Sequence, residues 1–153
     1  MQNTEIKQLT KHDLTDFQQL VVLFMEVFEH EGNTIPGAPY LKRLLARDDF
    51  IAFVVKIDDT VVGGLTAYEL RKYYSEISEI FIYDIAVQPK FQRKGLGKRL
   101  LSALRDYCGT SKINEIFVAA DQDDQQAVDF YHTTGGRAER VLHFNYLAGK
   151  QQL

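Results

Sequence analysis

Between Phe81 and Lys98 a stretch rich in β-branched and aromatic residues passes through Gln88-Pro89 into Gln92-Arg93-Lys94-Gly95-Leu96-Gly97-Lys98. A strand that runs through a short basic turn into a glycine-marked helix start can hold an anion. The first turn of a helix leaves about four N–H groups unpaired, and glycine lets a ligand approach that backbone without a clash from Cβ. Residues Gln92, Arg93, Lys94, Gly95, Leu96 and Gly97 are therefore read as a phosphate cradle, the alternative being a turn with ordinary flexible glycines. No G-x-x-x-x-G-K-[ST] is present, which excludes a Walker loop, and Leu100 stands where a dinucleotide fingerprint needs its third glycine.

The charges around this segment are sorted. From Ile85 to Arg105 there are six basic residues and no acid; from Glu115 to Tyr131 there are five acids and no Lys or Arg. A protein that holds a polyanion beside a polycation needs such an arrangement, although two solvated helix faces would show it too. Asp84 is the candidate that could do acid–base chemistry. Strand alternation would put Ile82, Asp84 and Ala86 on one face, where a lone carboxylate requires either a salt bridge to an Arg or Lys or an open cleft that receives a cation. Asp121 and Asp124 follow the end of the next strand, so if the two strands are neighbours, Asp84 and Asp124 converge. A carboxylate so placed can also draw a proton from an attacking ammonium. Glu79 and Tyr83 are candidates for the rim.

Positioning these groups takes a mixed scaffold. Thr10 and Asp13 stand in capping-box relation before Leu14, Phe17, Leu20, Val21, Phe24 and Phe28, which recur at helical spacing and predict a helix of about four turns. Gly32 to Pro39 reads as a loop, and Pro39 opens a short helix through Leu41, Leu44 and Leu45. Phe50–Ile57 and Val61–Tyr68 form an antiparallel hairpin about Asp58-Asp59, Ser78–Val87 is a third strand, and Pro89 stops it. Gly95–Cys108 is a helix with Leu96, Leu100, Leu101 and Leu104 on one face. Glu115–Ala120 is a strand, Ala127–Thr133 a helix, and Ala138–Tyr146 a closing strand. The prediction is an α/β (α+β) fold with a mixed, partly parallel central sheet flanked by helices on both faces.

At 153 residues, with 45% apolar and 25% charged residues, the chain suits one domain spanning 1–153 and excludes a disordered or fibrous chain. Its longest apolar runs, such as Ile51–Val55 and Val21–Met25, fall far short of the roughly 20 residues a bilayer demands. Met1–Lys7 shows no basic stretch followed by an apolar run, so a cytoplasmic location is expected. Cys108 is the only cysteine, which excludes an intrachain disulfide and a cysteine-based zinc site; no metal is expected.

Gln92-x-x-Gly95-x-Gly97 resembles the acetyl-CoA signature Q/R-x-x-G-x-G/A of the GNAT N-acetyltransferases. Ile85-Ala86-Val87-Gln88-Pro89 resembles the strand that precedes that signature, and Ala127 to Tyr131 followed by Gly135 resembles the family's A-x-x-x-Y-x-x-x-G ending. The likeness covers nearly the whole length. It implies that a pantetheine arm lies between two splayed parallel strands, here Phe81–Val87 and Glu115–Ala120. Ile85, Ala86 and Val87 would line the arm, Gln92 would open the pyrophosphate turn, and N–H groups from Arg93 to Lys98 would bind the pyrophosphate. The N–H of Val87 would face the thioester carbonyl, and Tyr131 would donate a proton or hydrogen bond to the sulfur.

The aminoglycoside 3-N-acetyltransferases of the type I group are similar in further strings: Tyr40-Leu41 with Leu44-Leu45, Phe50-Ile51-Ala52, Ser78-Glu79-Ile80, Ile82-Tyr83-Asp84, Ala120-Asp121 and His143-Phe144. This resemblance implies direct acetyl transfer from acetyl-CoA to an aminoglycoside amino group, with Asp84 as base and His143 lining the acceptor site. Asp124 replaces an asparagine common outside that group, and Gly136 replaces the aromatic that usually follows Gly135. The alternatives are a polyamine or other small-amine acetyltransferase and a non-catalytic acetyl-CoA-binding module. The partner expected is a polycationic small molecule, with no nucleic acid, since no aromatic platform accompanies the basic residues, with no membrane, and with a homodimer possible.

Overall fold

The computed structural model describes residues 2–30, 32, 34–109 and 112–149. The Thr10 backbone N–H and hydroxyl both donate to the Asp13 carboxylate (2.7 and 3.0 Å), and the Asp13 carbonyl accepts the first helical bond from Phe17 N–H. The two residues are bonded, but not as a capping box: Asp13 itself is the N-cap, its side chain makes no cap bond, and helix α1 spans Leu14–Val27. The helix closes on Glu29, held at φ +53°, with Glu29 N–H bonded to the Glu26 carbonyl and His30 N–H to the Met25 carbonyl. This Schellman arrangement fixes where His30 leaves the helix. Helix α2, Ala38–Leu45, has its proline in the first turn as predicted.

Five strands make one sheet in the order β1 (Thr4–Gln8), β2 (Phe50–Ile57), β3 (Thr60–Arg71), β4 (Ser78–Val87) and β5 (Ile113–Val118), antiparallel throughout except for the β4–β5 pair. The hairpin turn is where the sequence puts it: Asp58 and Asp59 both take positive φ. Sequence patterning does not reveal β1, a polar edge strand in which Ile6 alone packs against the core. Lys7 anchors it instead, bridging Asp13 at 2.9 Å and Asp16 at 3.0 Å, while Lys56 reaches Asp16 at 3.1 Å. Burial pushes the Asp16 carboxyl up, but bonds from Lys7 and Lys56 outweigh it and hold it below its ordinary value.

The sheet is covered on both faces, as expected. Phe17, Leu20, Leu23 and Phe24 of α1 and Leu41 and Leu45 of α2 pack on Ala52, Val54 and Val61. On the other face Leu96, Leu100, Leu101 and Leu104 of α3 (Leu96–Gly109) pack on Ile51, Phe53, Val55, Leu65, Ile80 and Ile82.

One face assignment is corrected. Ile82 pairs with Ala67 but Asp84 pairs with Thr66, so two steps on β4 answer one step on β3 and Tyr83 is the extra residue of a bulge. The insertion reverses the alternation. Ile82 belongs to the α3 face, whereas Ala86 packs toward α1 and Ile85 and Val87 take over the α3 face. Asp84 stands opposite Thr66, which alternates with Leu65 and Ala67 of the α3 face; it therefore shares the α1 face with Ala86 and not with Ile82.

The chain divides into two units, residues 1–119 and 120–153. In the second, α4 spans Gln125–Thr133. Gly135, at φ +97°, donates to the His132 carbonyl, and Gly136 N–H donates to the Tyr131 carbonyl at 2.8 Å, a Schellman closure. A Cβ at Gly136 would sit 2.8 Å from the Tyr131 oxygen, which accounts for the glycine found in place of an aromatic. The expected closing strand, Ala138–Tyr146, is not formed: residues 137–147 join no ladder. A β-pattern becomes a strand only where a neighbour accepts its backbone bonds, and no ladder among the described residues includes this segment.

Candidate active site

β4 and β5 are in register from Ser78–Ile113 to Ile82–Val118, and there the parallel ladder stops. β4 continues five residues further, to Val87, paired to β3 alone. The edge of Tyr83–Val87 on the β5 side is thus outside the sheet's hydrogen bonding. The strand then turns at Pro89–Phe91, a single 3-10 turn. The Gln92 side-chain amide donates to the Val87 carbonyl at 2.9 Å, tying the basic turn to the strand end.

The turn itself has the backbone of a cradle. Arg93 stands at φ +61° and Gly95 at φ +77°, and Arg99 N–H reaches the Gly95 carbonyl at 3.0 Å as the first bond of α3. The N–H groups of Leu96, Gly97 and Lys98 therefore lie in the first turn, where a helix has no internal acceptor for them. A side chain built at Gly95 would meet no atom within 4 Å. The space is open, the backbone needs glycine, and the local charge is positive: Arg93, Lys94 and Lys98 are exposed, and the ammoniums of Lys90 and Lys94 sit 5.1 and 5.5 Å from the Phe91 ring. These residues fit a diphosphate, and the unpaired β4 edge fits an extended amide-bearing arm, which are the two ends that acetyl-CoA would present.

Asp84 is half-buried just past the bulge. Burial raises its pKa from the ordinary 3.8 to about 6, against a small opposing pull from the positive charge of His30. Among the described residues its carboxylate takes no hydrogen bond or ion pair, so the salt-bridge alternative to an open cleft is not realised. At neutral pH this group is mostly ionised yet basic enough to accept a proton.

Sequence reasoning missed the aromatic row beside it. Phe50, Tyr68, Phe81 and Phe117 are cross-strand partners on one face, with successive registers Phe50–Tyr68, Tyr68–Phe81 and Phe81–Phe117. Phe81 and Phe117 rings are 5.2 Å apart, and the Tyr83 ring lies 6.0 Å from both Tyr68 and Phe81. Tyr83 is 64% exposed and Phe117 39%. The signal was present, since each strand carries an aromatic at the matching register, but the register needs the structure. Glu79, partly buried on β4, stands opposite Leu70.

In the second unit Tyr131 is half-buried, its ring 5.3 Å from Phe130. Asp124 has a structural duty: its carboxylate accepts from the Ala127 N–H at 3.1 Å and caps α4. The carbonyl of Asp121 accepts from Asp124 N–H in the same turn, and its side chain is exposed. His143 is exposed and lies on the segment that joins no strand, which corrects its expected place on a last strand.

Residues 16–135 match the Acetyltransferase (GNAT) family. Among solved structures, the chain is similar to the aminoglycoside acetyltransferase meta-AAC0020 from an uncultured soil metagenomic sample. In the complex of that protein with sisomicin the identity is 39%, covering 95% of this chain and 97% of the other, with a TM-score of 0.93. The aminoglycoside acetyltransferase HMB0005, from the same kind of source, is 35% identical over 96% of this chain and 99% of its own, with a TM-score of 0.89. An uncharacterized N-acetyltransferase of Bacillus subtilis (strain 168), YhfO, is 23% identical over 85% of this chain and 87% of its own. The five-stranded mixed sheet, the bulged fourth strand and the glycine-marked turn thus come with a family match across most of the chain, and the protein belongs to the GNAT family of N-acetyltransferases.

Proposed function

We propose that the protein transfers the acetyl group of acetyl-CoA directly, in a ternary complex, to an amino group of an aminoglycoside, the 3-amino group being the target implied by the sequence strings shared with that group. The observation that carries this reading is Asp84: a half-buried carboxylate, raised to about 6 by burial, held by the Tyr83 bulge beside an unpaired strand edge. The similarity to aminoglycoside acetyltransferases at 39% and 35% identity supports the acceptor class.

Acetyl-CoA, when bound, supplies an acetyl group already activated as a thioester. The chain's own residues do the rest. Backbone N–H groups from Arg93 to Lys98 neutralise the pyrophosphate, with Gln92 fixing the turn against the strand end. The backbone of Ile85, Ala86 and Val87 receives the arm along the unpaired edge. Asp84 attracts an ammonium group and takes a proton from it, leaving a neutral amine as nucleophile. Tyr83 and Phe117 offer apolar faces to the sugar rings, and the exposed tyrosine also favours cations. Tyr131 is the group that protonates the departing sulfur. Glu79, Asp121, Asp124 and His143 are read as further contacts to the polycation.

The test is an acetylation assay across gentamicin, kanamycin, sisomicin, spermidine and an N-terminal peptide, with the modified position read by NMR. Turnover of aminoglycosides with acetyl at N3 is the expected outcome; a preference for spermidine or the peptide would overturn the acceptor class, and acetyl at another amine the regiochemistry.

A further inference from the structure

Thr66 is a buried hydroxyl that the packing of the fold does not use. It stands on β3 between Leu65 and Ala67, which face α3, so its own side chain lies on the α1 face. There it is 8% exposed, and among the described residues its hydroxyl makes no hydrogen bond. Asp16, buried to the same degree, is held by Lys7 and Lys56. A hydroxyl withdrawn from water without a partner destabilises the fold where a methyl group would not. The Thr66 oxygen is not sealed, however: no side-chain N or O among the described residues is both fully enclosed and without a partner, so this one borders open space. The register says what lies beside it. Across the β2 ladder Thr66 faces Ala52, and across the β4 ladder it faces Asp84. Along β3 in one direction Gly64 is roofed by α1, since a Cβ there would run into the Leu20 side chain; in the other, Tyr68 begins the aromatic row. Thr66 thus sits at the margin of the α1 cover, in the same cross-strand row as Asp84.

We propose that the Thr66 hydroxyl is a second contact for the amino group of the acceptor, accepting a hydrogen bond from the ammonium that Asp84 attracts. The proposal rests on the reading of Asp84 given above. Directly opposed residues on one face of an antiparallel pair have Cβ atoms about 4.5–5.5 Å apart, close enough for their side-chain oxygens to hold one nitrogen between them. An ammonium is a donor through all of its N–H groups, and each one taken from water without an acceptor weakens binding. Asp84 cannot serve them all, and Ala52, Gly64 and Ala86, which flank the pair on this face, carry no polar side-chain atom. A neutral hydroxyl suits the position. A second carboxylate would repel the first and raise its proton affinity further, and a lysine would repel the substrate. Once the proton has passed to Asp84, the same hydroxyl still holds an N–H of the neutral amine, so the nucleophile stays in place for attack.

Thr66→Val keeps the shape of the side chain and removes the hydroxyl, and its expected signature is a pair of opposed changes. With the amine of the acetylation panel that the wild type turns over fastest, kcat/KM for the acceptor falls about 10- to 100-fold while KM for acetyl-CoA is unchanged. Tm by calorimetry stays level or rises, because the unpartnered hydroxyl is gone. Thr66→Ser restores the oxygen and is expected to return kcat/KM to within a few-fold of wild type, although the lost methyl lowers Tm. Unchanged acceptor kinetics in Thr66→Val overturns the proposal and leaves the proposed function standing. Activity that is lost in Thr66→Val and not rescued by Thr66→Ser makes Thr66 a structural residue and overturns it too. A wild type that acetylates no amine of the panel sinks the proposed function, and this contact with it.

Discussion

The two halves of β4 are the same strand put to different uses. Ser78–Ile82 is bonded on both sides, and its Ile80 and Ile82 are sealed under α3 at 0% and 1% exposure. Tyr83–Val87 is bonded on one side only, turned over by the bulge, and carries a carboxylate that takes no hydrogen bond or ion pair among the described residues. The first half is sealed by burial and by partners on both sides, and the second is held by its pairing to β3 and by Ile85 and Val87 on the α3 core. A polar group that would be a defect in the closed half becomes the reactive group in the open half, because water and substrate can reach it.

Exchanging the properties of the halves tests that contrast. Asp84→Asn is expected to lower kcat/KM for aminoglycosides by about 10²- to 10⁴-fold with little change in acetyl-CoA affinity, and to abolish the fall in rate expected of the wild type below about pH 6. Its stability moves the other way. A folded-state pKa of about 6 lies above the unfolded 3.8, so the folded form binds more protons between those values and the wild type loses stability as pH climbs through that window. Asp84→Asn removes this cost, so calorimetric melting should show a higher Tm than wild type at pH 8 and no difference below pH 3.5. A variant that lost stability at pH 8 would mean that Asp84 is structural.

Gly95→Asp, in the cradle that ends the open half, is expected to weaken acetyl-CoA binding at least 100-fold by titration calorimetry, since the variant puts a negative side chain at φ +77° in the space left for an anion. Ile82→Ala, in the closed half, should cost about 2–4 kcal/mol of folding stability in denaturant titrations while leaving both KM values unchanged. The smallest effect separates the two duties of Asp124. Asp124→Asn keeps a good helix cap and removes the charge, so a several-fold rise in aminoglycoside KM with unchanged Tm marks a substrate contact. Asp124→Ala adds a loss of about 1 kcal/mol from the cap.

What the sequence disclosed was whatever local pattern determines. The bounds of β2 and β4, the Asp58-Asp59 turn, the leucine face of α3 and the glycine turn at Gly95 were all legible, because each follows from side-chain period or from a backbone conformation few residues allow. β1 was not, since Thr4–Gln8 is a strand only by virtue of β2 beside it and of the Lys7 bridges to Asp13 and Asp16. Asp84 was legible as a candidate, but its face was assigned with the wrong companion, because a bulge leaves no mark in composition. Ala138–Tyr146 shows the converse: its pattern predicts a strand, and residues 138–146 join no ladder. The aromatic row required registers across four strands, which no single segment encodes.

The bulge at Tyr83 has a consequence for heredity. A codon substitution at position 83 changes a ring on an exposed surface, which the fold can absorb. A codon deletion there removes the extra residue and makes Ile82 and Asp84 consecutive opposite Ala67 and Thr66, so Asp84, Ile85, Ala86 and Val87 keep their facings. The fold therefore tolerates either change at this codon, and only the acceptor rim registers the loss of the ring.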